Sequence, residues 1–399
     1  MNGDRRTTAS PHGLAILLAA LASVGPFSID AYLPAMDEIG RTLRAEPLAV
    51  QQTLTAYILP FAIMSLWHGA ISDALGRRRV VLWGVMFFTL ASVGCAFAPT
   101  IHVLLLFRAL QGVTAGASVV VGRAIVRDCF QGSQAQRVMS QVALTFALAP
   151  ALAPVLGGWL GVWFGWRSVF AFLALYGVLC WVWCFARLPE SLPKELRQRL
   201  DPVFLLRSYV RVLTNCRFLA LCLAMTLIFS GFFIYVTGAP VFLVKHLHVS
   251  PTGFFWLFGP ASAGMMVGAW LSARMAGHWS SRRTLAVAFW IMGAAAAVQA
   301  GFHALSEPSL PWSIIPLVFY VFGMSLAFPT LTILALDVFP AQRGMASSCQ
   351  TFLQTAGSAL CAALVPVVWG SVLSLATTQM ALLGIAAALL LASSRKNLC

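Results

Sequence analysis

"GAISDALGRRRVVL", residues 69–82, is a short polar interruption between two long apolar runs. Gly69 and Gly76 permit close helix packing and a tight turn. Asp73 reads as a negative charge at a helix N-terminus, and Arg77, Arg78 and Arg79 hold a water-facing surface. Taken alone, the stretch is a basic turn between two helices, and what it connects depends on its flanks. Those flanks are greasy throughout: 60% of the 399 residues are apolar and 10% charged, with a mean hydropathy of +0.85. Soluble domains run near half apolar and about a quarter charged, so this is an integral membrane protein. Runs of ~20 apolar residues recur without the alternation of a membrane β-barrel, so the spans are helices, which satisfy their own backbone hydrogen bonds in lipid.

Working outward from residue 69, the pattern predicts helices at 13–36, 50–71, 80–98, 101–123, 138–160 and 166–187, then at 216–244, 252–274, 284–304, 311–336, 344–373 and 376–394. The long polar stretch "RLPESLPKELRQRLDP", 187–202, divides these twelve spans into two sets of six. The expected organisation is an N-terminal half at 1–187, a linker at 188–215 and a C-terminal half at 216–399. Part of the linker, near Val203 to Arg217, reads as an amphipathic surface helix.

Lys and Arg outnumber Asp and Glu by 26 to 12, but their placement excludes a nucleic-acid role. Four of these cations fall in one set of loops (Arg41, Arg44, Arg167, Lys245) and Arg108 falls within a span; the others lie on the opposite side with both termini. By the positive-inside rule that side is the cytoplasm. "MNGDRR" followed by an apolar run and "ALASVG" also has the outline of a cleavable signal peptide. Cleavage would leave eleven spans with termini on opposite sides, against the charge bias, so retention is expected. The nine cysteines lie in or beside apolar segments and read as packing residues rather than a disulfide or metal framework. "KHLH", 245–248, offers too few ligands for a metal site, and no cofactor is expected. No Ser/His/Asp or metal-ligand set converges, so the chain is not read as an enzyme.

Two features within the spans carry chemistry. Arg108 lies about 10 Å inside its helix, where a guanidinium that cannot be neutralised must face an aqueous cavity or a partner, unless it snorkels to the interface. Of the twelve acids only Asp30 falls within a predicted span. It is thereby the candidate for a group that gains and loses a proton inside the membrane, the alternative being a plain charge at an outer helix end. A third feature, "LAPALAPVLGGW" at 148–159, places Pro150, Pro154, Gly157 and Gly158 where they would bend a helix and bring neighbouring backbones close.

The 69–82 loop resembles the GxLaDxxGRR loop between helices 2 and 3 of the major facilitator superfamily. The corresponding point of the second half, "GAWLSARMAGHWSSRR", keeps a Gly-Ala start and a basic end, as a degenerate repeat would. The resemblance implies an all-α membrane protein with the major facilitator fold, twelve transmembrane helices in two pseudo-symmetric six-helix halves. It also implies a cytoplasmic gate at Gly69, Asp73, Gly76, Arg77 and Arg78, with the acid meeting the segment "ALDVFPAQRGMASS" of the opposite half. Arg108, Gln111 and Gly112 are similar to the RxxQG motif linked to proton coupling, and 149–158 to the antiporter motif GxxxGPxxGG with alanine at 149 and 153. "SIDAYLPAM", "VVVGRAIVRD" and "FGWRSVF" are similar to the bicyclomycin/chloramphenicol resistance (Bcr/CflA) branch of drug:proton antiporters. Membership implies a monomer in the bacterial inner membrane that exports small amphiphilic drugs in exchange for protons, with a proton-coupled carrier for a sugar or other metabolite as the alternative. Tyr32, Tyr57, Phe61, Gln111, Phe146, Phe232, Phe233 and Tyr235 are the expected cavity lining, and Asp30 with Arg108 the proton-coupling pair.

Overall fold

A computed structural model describes residues 11–130, 132–197, 200–275 and 278–394. Helices account for the regular structure among them: α1 (Pro11–Asp30), α2 (Met36–Leu43), α3 (Pro47–Leu75), α4 (Arg77–Ala96), α5 (Ile101–Cys129), α6 (Gly132–Phe164) and α7 (Arg167–Arg187). They continue as α8 (Pro202–Leu213), α9 (Cys216–Thr237), α10 (Phe255–Met275), α11 (Ser281–Leu305), α12 (Ile315–Leu336), α13 (Arg343–Val368) and α14 (Val372–Ser394). Eleven are long and apolar enough to cross a membrane among the described residues. The 33-residue α6, whose described apolar part is the shorter stretch Leu148–Phe164, completes the twelve.

The packing follows the duplicated pattern. α1 lies on α5 and α6, α3 on α5, and α4 on α5 and α7, while α9 lies on α12, α13 and α14, α10 on α12, and α11 on α12 and α14. Between these groups the main contacts are α3 with α13 and α6 with α10. Counted as membrane helices these are the second with the eleventh and the fifth with the eighth, pairs that exchange when six is added, as a pseudo-twofold requires. Trp83, Phe87, Leu90, Trp290, Leu360 and Val367 stay exposed around the outside, where lipid rather than water is the solvent.

Several boundaries depart from the sequence pattern. The first helix stops at Asp30, followed by a 3-10 turn at Leu33–Ala35 around Pro34 and by the short α2. Past Thr237 the chain continues after Gly238 as a π-helical turn at Pro240–His246. In the opening stretch α3 runs through Leu75, so Asp73 sits in the last turn of a helix, not at an N-terminus. The negative end of the α3 dipole is there, and the nearby guanidinium of Arg77 compensates it. The linker contains α8, whose Tyr209 and Val212 are buried while Val203, Leu206 and Val210 are exposed on the opposite face. Cys95, Cys180, Cys184, Cys222, Cys349 and Cys361 are free and buried, as packing residues; Cys216 departs from that reading and is disulfide-bonded.

Candidate functional site

The bundle has two ends. We call the one carrying Asp73, Arg77, Arg282 and Arg343 the basic end and the one carrying Asp37, Glu38 and Lys245 the far end. Between them, in the first six-helix group, Arg108 is fully enclosed. Its Nη1 donates to the Ser28 carbonyl at 3.1 Å and to Gln111 Oε1 at 2.9 Å, and its Nε donates to the Thr53 carbonyl at 3.4 Å. The guanidinium carbon lies 4.5 Å from the Tyr57 ring centroid, 4.8 Å from that of Tyr32 and 5.9 Å from that of Phe170. Of the settings its charge allowed, a cavity, a partner or the interface, Arg108 takes partners: backbone dipoles and aromatic faces replace the hydration. Each such ring contributes about 0.5–2 kcal/mol, and a guanidinium buried without such partners would be prohibitive.

The cage is held from outside. Gln111 Nε2 donates to Ser92 Oγ of α4 at 2.8 Å, Cys95 Sγ contacts Gln111 Oε1 at 3.7 Å, and Tyr32 shares a short hydrogen bond with Thr53. Five helices, α1, α3, α4, α5 and α7, thus converge on one cation. Its Nη2 is buried without a hydrogen-bond partner, as is the Tyr57 hydroxyl.

Asp30 ends α1 two residues past Ser28 and is 5% exposed; Ala31, Tyr32, Leu33, Ala35 and Met36 beyond it are all buried. It is therefore not a surface charge at a helix end. Among the described residues it makes no ion pair with Arg108. The break in α1 after Asp30 is packed by α6: a Cβ at Gly157 would overlap the Ala31 carbonyl, and one at Gly158 would overlap the Pro251 carbonyl in the other six-helix group. Pro150 and Pro154 lie inside the uninterrupted α6. The Pro/Gly stretch thus joins the carboxylate-bearing break to the seam between the two groups.

The remaining expected lining is dispersed. Phe61 stacks on Tyr57 at 6.2 Å, and its ring faces Gly25 and Gly116. Phe233 stacks on Phe229 at 5.3 Å in α9, with Phe232 buried beside it. Tyr235 is buried against Phe242, away from the cage. The Phe146 side chain lies outside the described residues. A separate cavity of about 970 Å³ opens at the far end, bounded by Glu38, Arg41, Gln51, Gly158, Lys245 and Trp369, and none of the expected aromatic positions lines it.

The two ends differ in how the groups meet. At the far end Gln51 Nε2 donates across the seam to the Ala362 carbonyl at 3.2 Å, and Gly158 abuts Pro251. At the basic end each half satisfies its own charges. Arg77 pairs with Asp73 at 2.6 Å and Asp128 at 3.1 Å, and its backbone N–H donates to Glu190 at 2.9 Å. Arg78 Nη2 donates to the Phe185 carbonyl at 2.7 Å, and Gly69 packs near Val120. Arg343, at the start of α13, pairs with Asp337 at 2.7 Å. The contact expected between Asp73 and the segment preceding α13 is not made in this conformation, because both sides are paired locally.

Sequence reading missed Gln51, Ser28, Thr53 and Glu190. Two of these act through backbone carbonyls, which leave no residue-type signal; Gln51, a lone polar residue within the α3 span, was a visible one.

The chain is similar to known proteins in sequence and in fold. The Major Facilitator Superfamily description matches residues 16–362. The chain is 31% identical over 337 residues, 84% of each chain, to an uncharacterised MFS-type transporter, YdgK, of Bacillus subtilis. It is 29% identical over 356 residues, 88% of each, to multidrug resistance protein D of Escherichia coli, and 27% over 276 residues, 69% of each, to a bicyclomycin resistance protein homolog of Haemophilus influenzae. The crystal structure of the POT family transporter PepTSo superposes with a TM-score of 0.76 over 98% of this chain and 99% of that one, at 14% identity, a likeness of fold. With twelve long helices, two groups meeting as symmetric pairs and a matching loop after α3, the chain belongs to the Major Facilitator Superfamily of membrane transporters.

Proposed function

We propose that this transporter is a proton-coupled multidrug efflux antiporter, exporting amphiphilic antibiotics of bicyclomycin or phenicol type from the bacterial cytoplasm by alternating access. The observation that carries the reading is Asp30: the one buried acid among the described residues, at a break in α1, the helix whose Ser28 carbonyl binds the enclosed Arg108. In this reading the buried carboxyl exchanges its proton with the transport path as the halves move, which is what obligatory coupling needs. The basic end is the cytoplasmic side by the positive-inside rule, with both termini there and the protein in the inner membrane. On that orientation the seam crossed by Gln51 and Gly158 is the outer one, beneath the far-end cavity, and the inner gate charges are paired locally.

In the cycle, drug and proton compete: drug entering from the cytoplasm favours loss of the Asp30 proton, the halves 1–187 and 216–399 rock about the linker, and a proton from outside displaces the drug. Phe61, Phe232 and Phe233 are the aromatic positions that movement of the halves would offer to an uncharged amphiphile, whereas Tyr32 and Tyr57 are occupied by Arg108 and Tyr235 by Phe242. The resistance proteins among the relatives support the drug class. A metabolite carrier would require more polar groups near the path, and the Pro150–Gly158 stretch favours exchange.

Everted membrane vesicles carrying an imposed proton gradient provide the test. Chloramphenicol or bicyclomycin should trigger proton release with the native chain and not with Asp30→Asn. Silence of the native chain toward both drugs, with a sugar eliciting release, would establish the metabolite carrier instead.

A further inference from the structure

At the basic end, between the start of α4 and the linker, a pocket of about 350 Å³ is walled by Arg78, Arg79, Lys194, Arg197, Glu190 and Trp83. Four of these six are cations, and the single acid is already committed. Glu190 accepts from the Arg77 and Leu192 backbone N–H groups at 2.9 and 3.2 Å and from Arg197 Nη2 at 3.4 Å. What remains is donor capacity without acceptors. Arg197 Nε is buried and unpartnered, and Arg79 and Lys194 are exposed and make no ion pair among the described residues.

The pocket continues into an apolar surface through Trp83, which lines it, and through Phe185, whose ring lies under Arg78. Along α4, Trp83, Phe87 and Leu90 are exposed at helical spacing, Trp83 stacking on Phe87 at 5.7 Å. On neighbouring α7, Phe185, Val182 and Leu179 are exposed in the same way. These stripes run from the basic pocket toward the middle of the bundle, where only lipid chains can cover them. A free phosphate would use the cations and leave the stripes unexplained, whereas a molecule with an anionic head and two acyl chains uses both.

We infer that this pocket is a binding site for the phosphodiester headgroup of an anionic phospholipid in the leaflet at the basic end, its acyl chains lying along the α4 and α7 stripes. Phosphate oxygens accept from Arg79, Lys194 and the free edge of Arg197. The bound lipid then ties the start of α4 to the linker that joins the two six-helix groups, so that lipid headgroup charge bears on the gate loop from outside the transport path.

The test uses the purified full chain in detergent, titrated separately with dioleoylphosphatidylglycerol, dioleoylphosphatidylcholine and inorganic phosphate, with bound lipid counted by native mass spectrometry. Phosphatidylglycerol should bind at least ~10-fold more tightly than phosphatidylcholine, and the double variant Arg79→Gln, Lys194→Gln should erase about that preference. Arg282→Gln, Arg283→Gln, a basic pair at the same end outside the pocket, should leave it intact. Trp83→Ala should weaken phosphatidylglycerol without altering the response to inorganic phosphate. Should the double variant fail to fold, the charge-preserving exchange Arg79→Lys, Lys194→Arg must retain the lipid. Equal binding of the two lipids, native-like binding by the double variant, or displacement of the lipid by equimolar inorganic phosphate would each overturn the assignment.

Discussion

Arg108 donates to the carbonyl of Ser28 at 3.1 Å and makes no ion pair with Asp30, two residues further along α1. The cation therefore holds the helix that carries the carboxylate instead of neutralising the carboxylate directly. A lysine would keep the charge but lose the planar fork that serves Ser28, Thr53 and Gln111 together and that stacks on Tyr32 and Tyr57. Arg108→Lys is expected to lower drug-driven proton release by ~10-fold or more, with charge-assisted bonds of about 1.5–3 kcal/mol each at stake. Assay in everted vesicles at matched expression checks it; native-like release would show that charge alone suffices.

Gly157 offers a sharper test of how α6 shapes the surroundings of Asp30. A Cβ there would overlap the Ala31 carbonyl immediately beyond Asp30, whereas one at Gly161 would sit 3.8 Å from the Ala35 Cβ, an ordinary contact. Gly157→Ala should thus force α6 and the end of α1 apart at a cost of about 1–3 kcal/mol. Gly161→Ala should be near neutral. Thermal unfolding in detergent and drug-coupled proton release, measured for both, should separate the two positions. Equal behaviour would mean that the close approach is dispensable.

How much of this was legible in the sequence follows from the kind of signal each feature leaves. The existence of the spans is written in side-chain hydropathy and charge, and helices appear in each of those regions, although α1 stops at Asp30, α3 runs on to Leu75 and α9 stops at Thr237. Asp30 stood out because acids are rare in lipid. The enclosure of Arg108 did not, because apart from the nearby Gln111 its partners are two backbone carbonyls and three rings, Tyr32, Tyr57 and Phe170, distant in sequence. The break after Asp30 was half visible in Pro34, but its burial depends on Gly157, 127 positions away. The assignment of Asp73 to a helix start failed because Gly76, with φ of +98°, ends α3 later than the hydropathy does.

That same glycine makes the 69–82 turn testable. Its backbone lies in a region essentially reserved for glycine, and a Cβ would also strike Glu190 and Arg197. Gly76→Ala is expected to cost about 1–3 kcal/mol, while Gly69→Ala, whose nearest foreign atom would be 4.0 Å away, should be mild. Comparing their unfolding midpoints and transport tests whether the turn, rather than glycine as such, is required.

Around that turn Arg77 is shared by two carboxylates, so removal of either partner should be unequal to removal of the cation. Asp73 is more than a third exposed, and Asp73→Asn leaves Arg77 bonded to Asp128 and Ser72, so only about 0.2–1 kcal/mol should be lost. Arg77→Ala leaves both acids facing each other and should be the more damaging. The combined variant should be less stable than native by less than the sum of the two, because the cation that Asp73 serves is already gone. A double-mutant cycle on thermal stability in detergent measures this; strict additivity would mean that Arg77 and Asp73 do not act as a pair.

The far-end seam gives the last expectation. Gln51 Nε2 bonds the Ala362 carbonyl across the two groups while its Oε1 stays unpartnered, so one hydrogen bond of about 0.5–1.5 kcal/mol favours the shut form at that position. Gln51→Leu preserves the volume and removes the bond. A net loss of about 1 kcal/mol shifts a two-state equilibrium about fivefold toward far-end opening. Val50 lines the far-end cavity yet is itself 3% exposed, so Val50→Cys places a thiol that is covered when the seam is shut. Maleimide should modify that thiol about five times faster in the Gln51→Leu background than in its absence. An unchanged labelling rate would mean that the apolar contacts between α3 and α13, not this hydrogen bond, keep the far end closed.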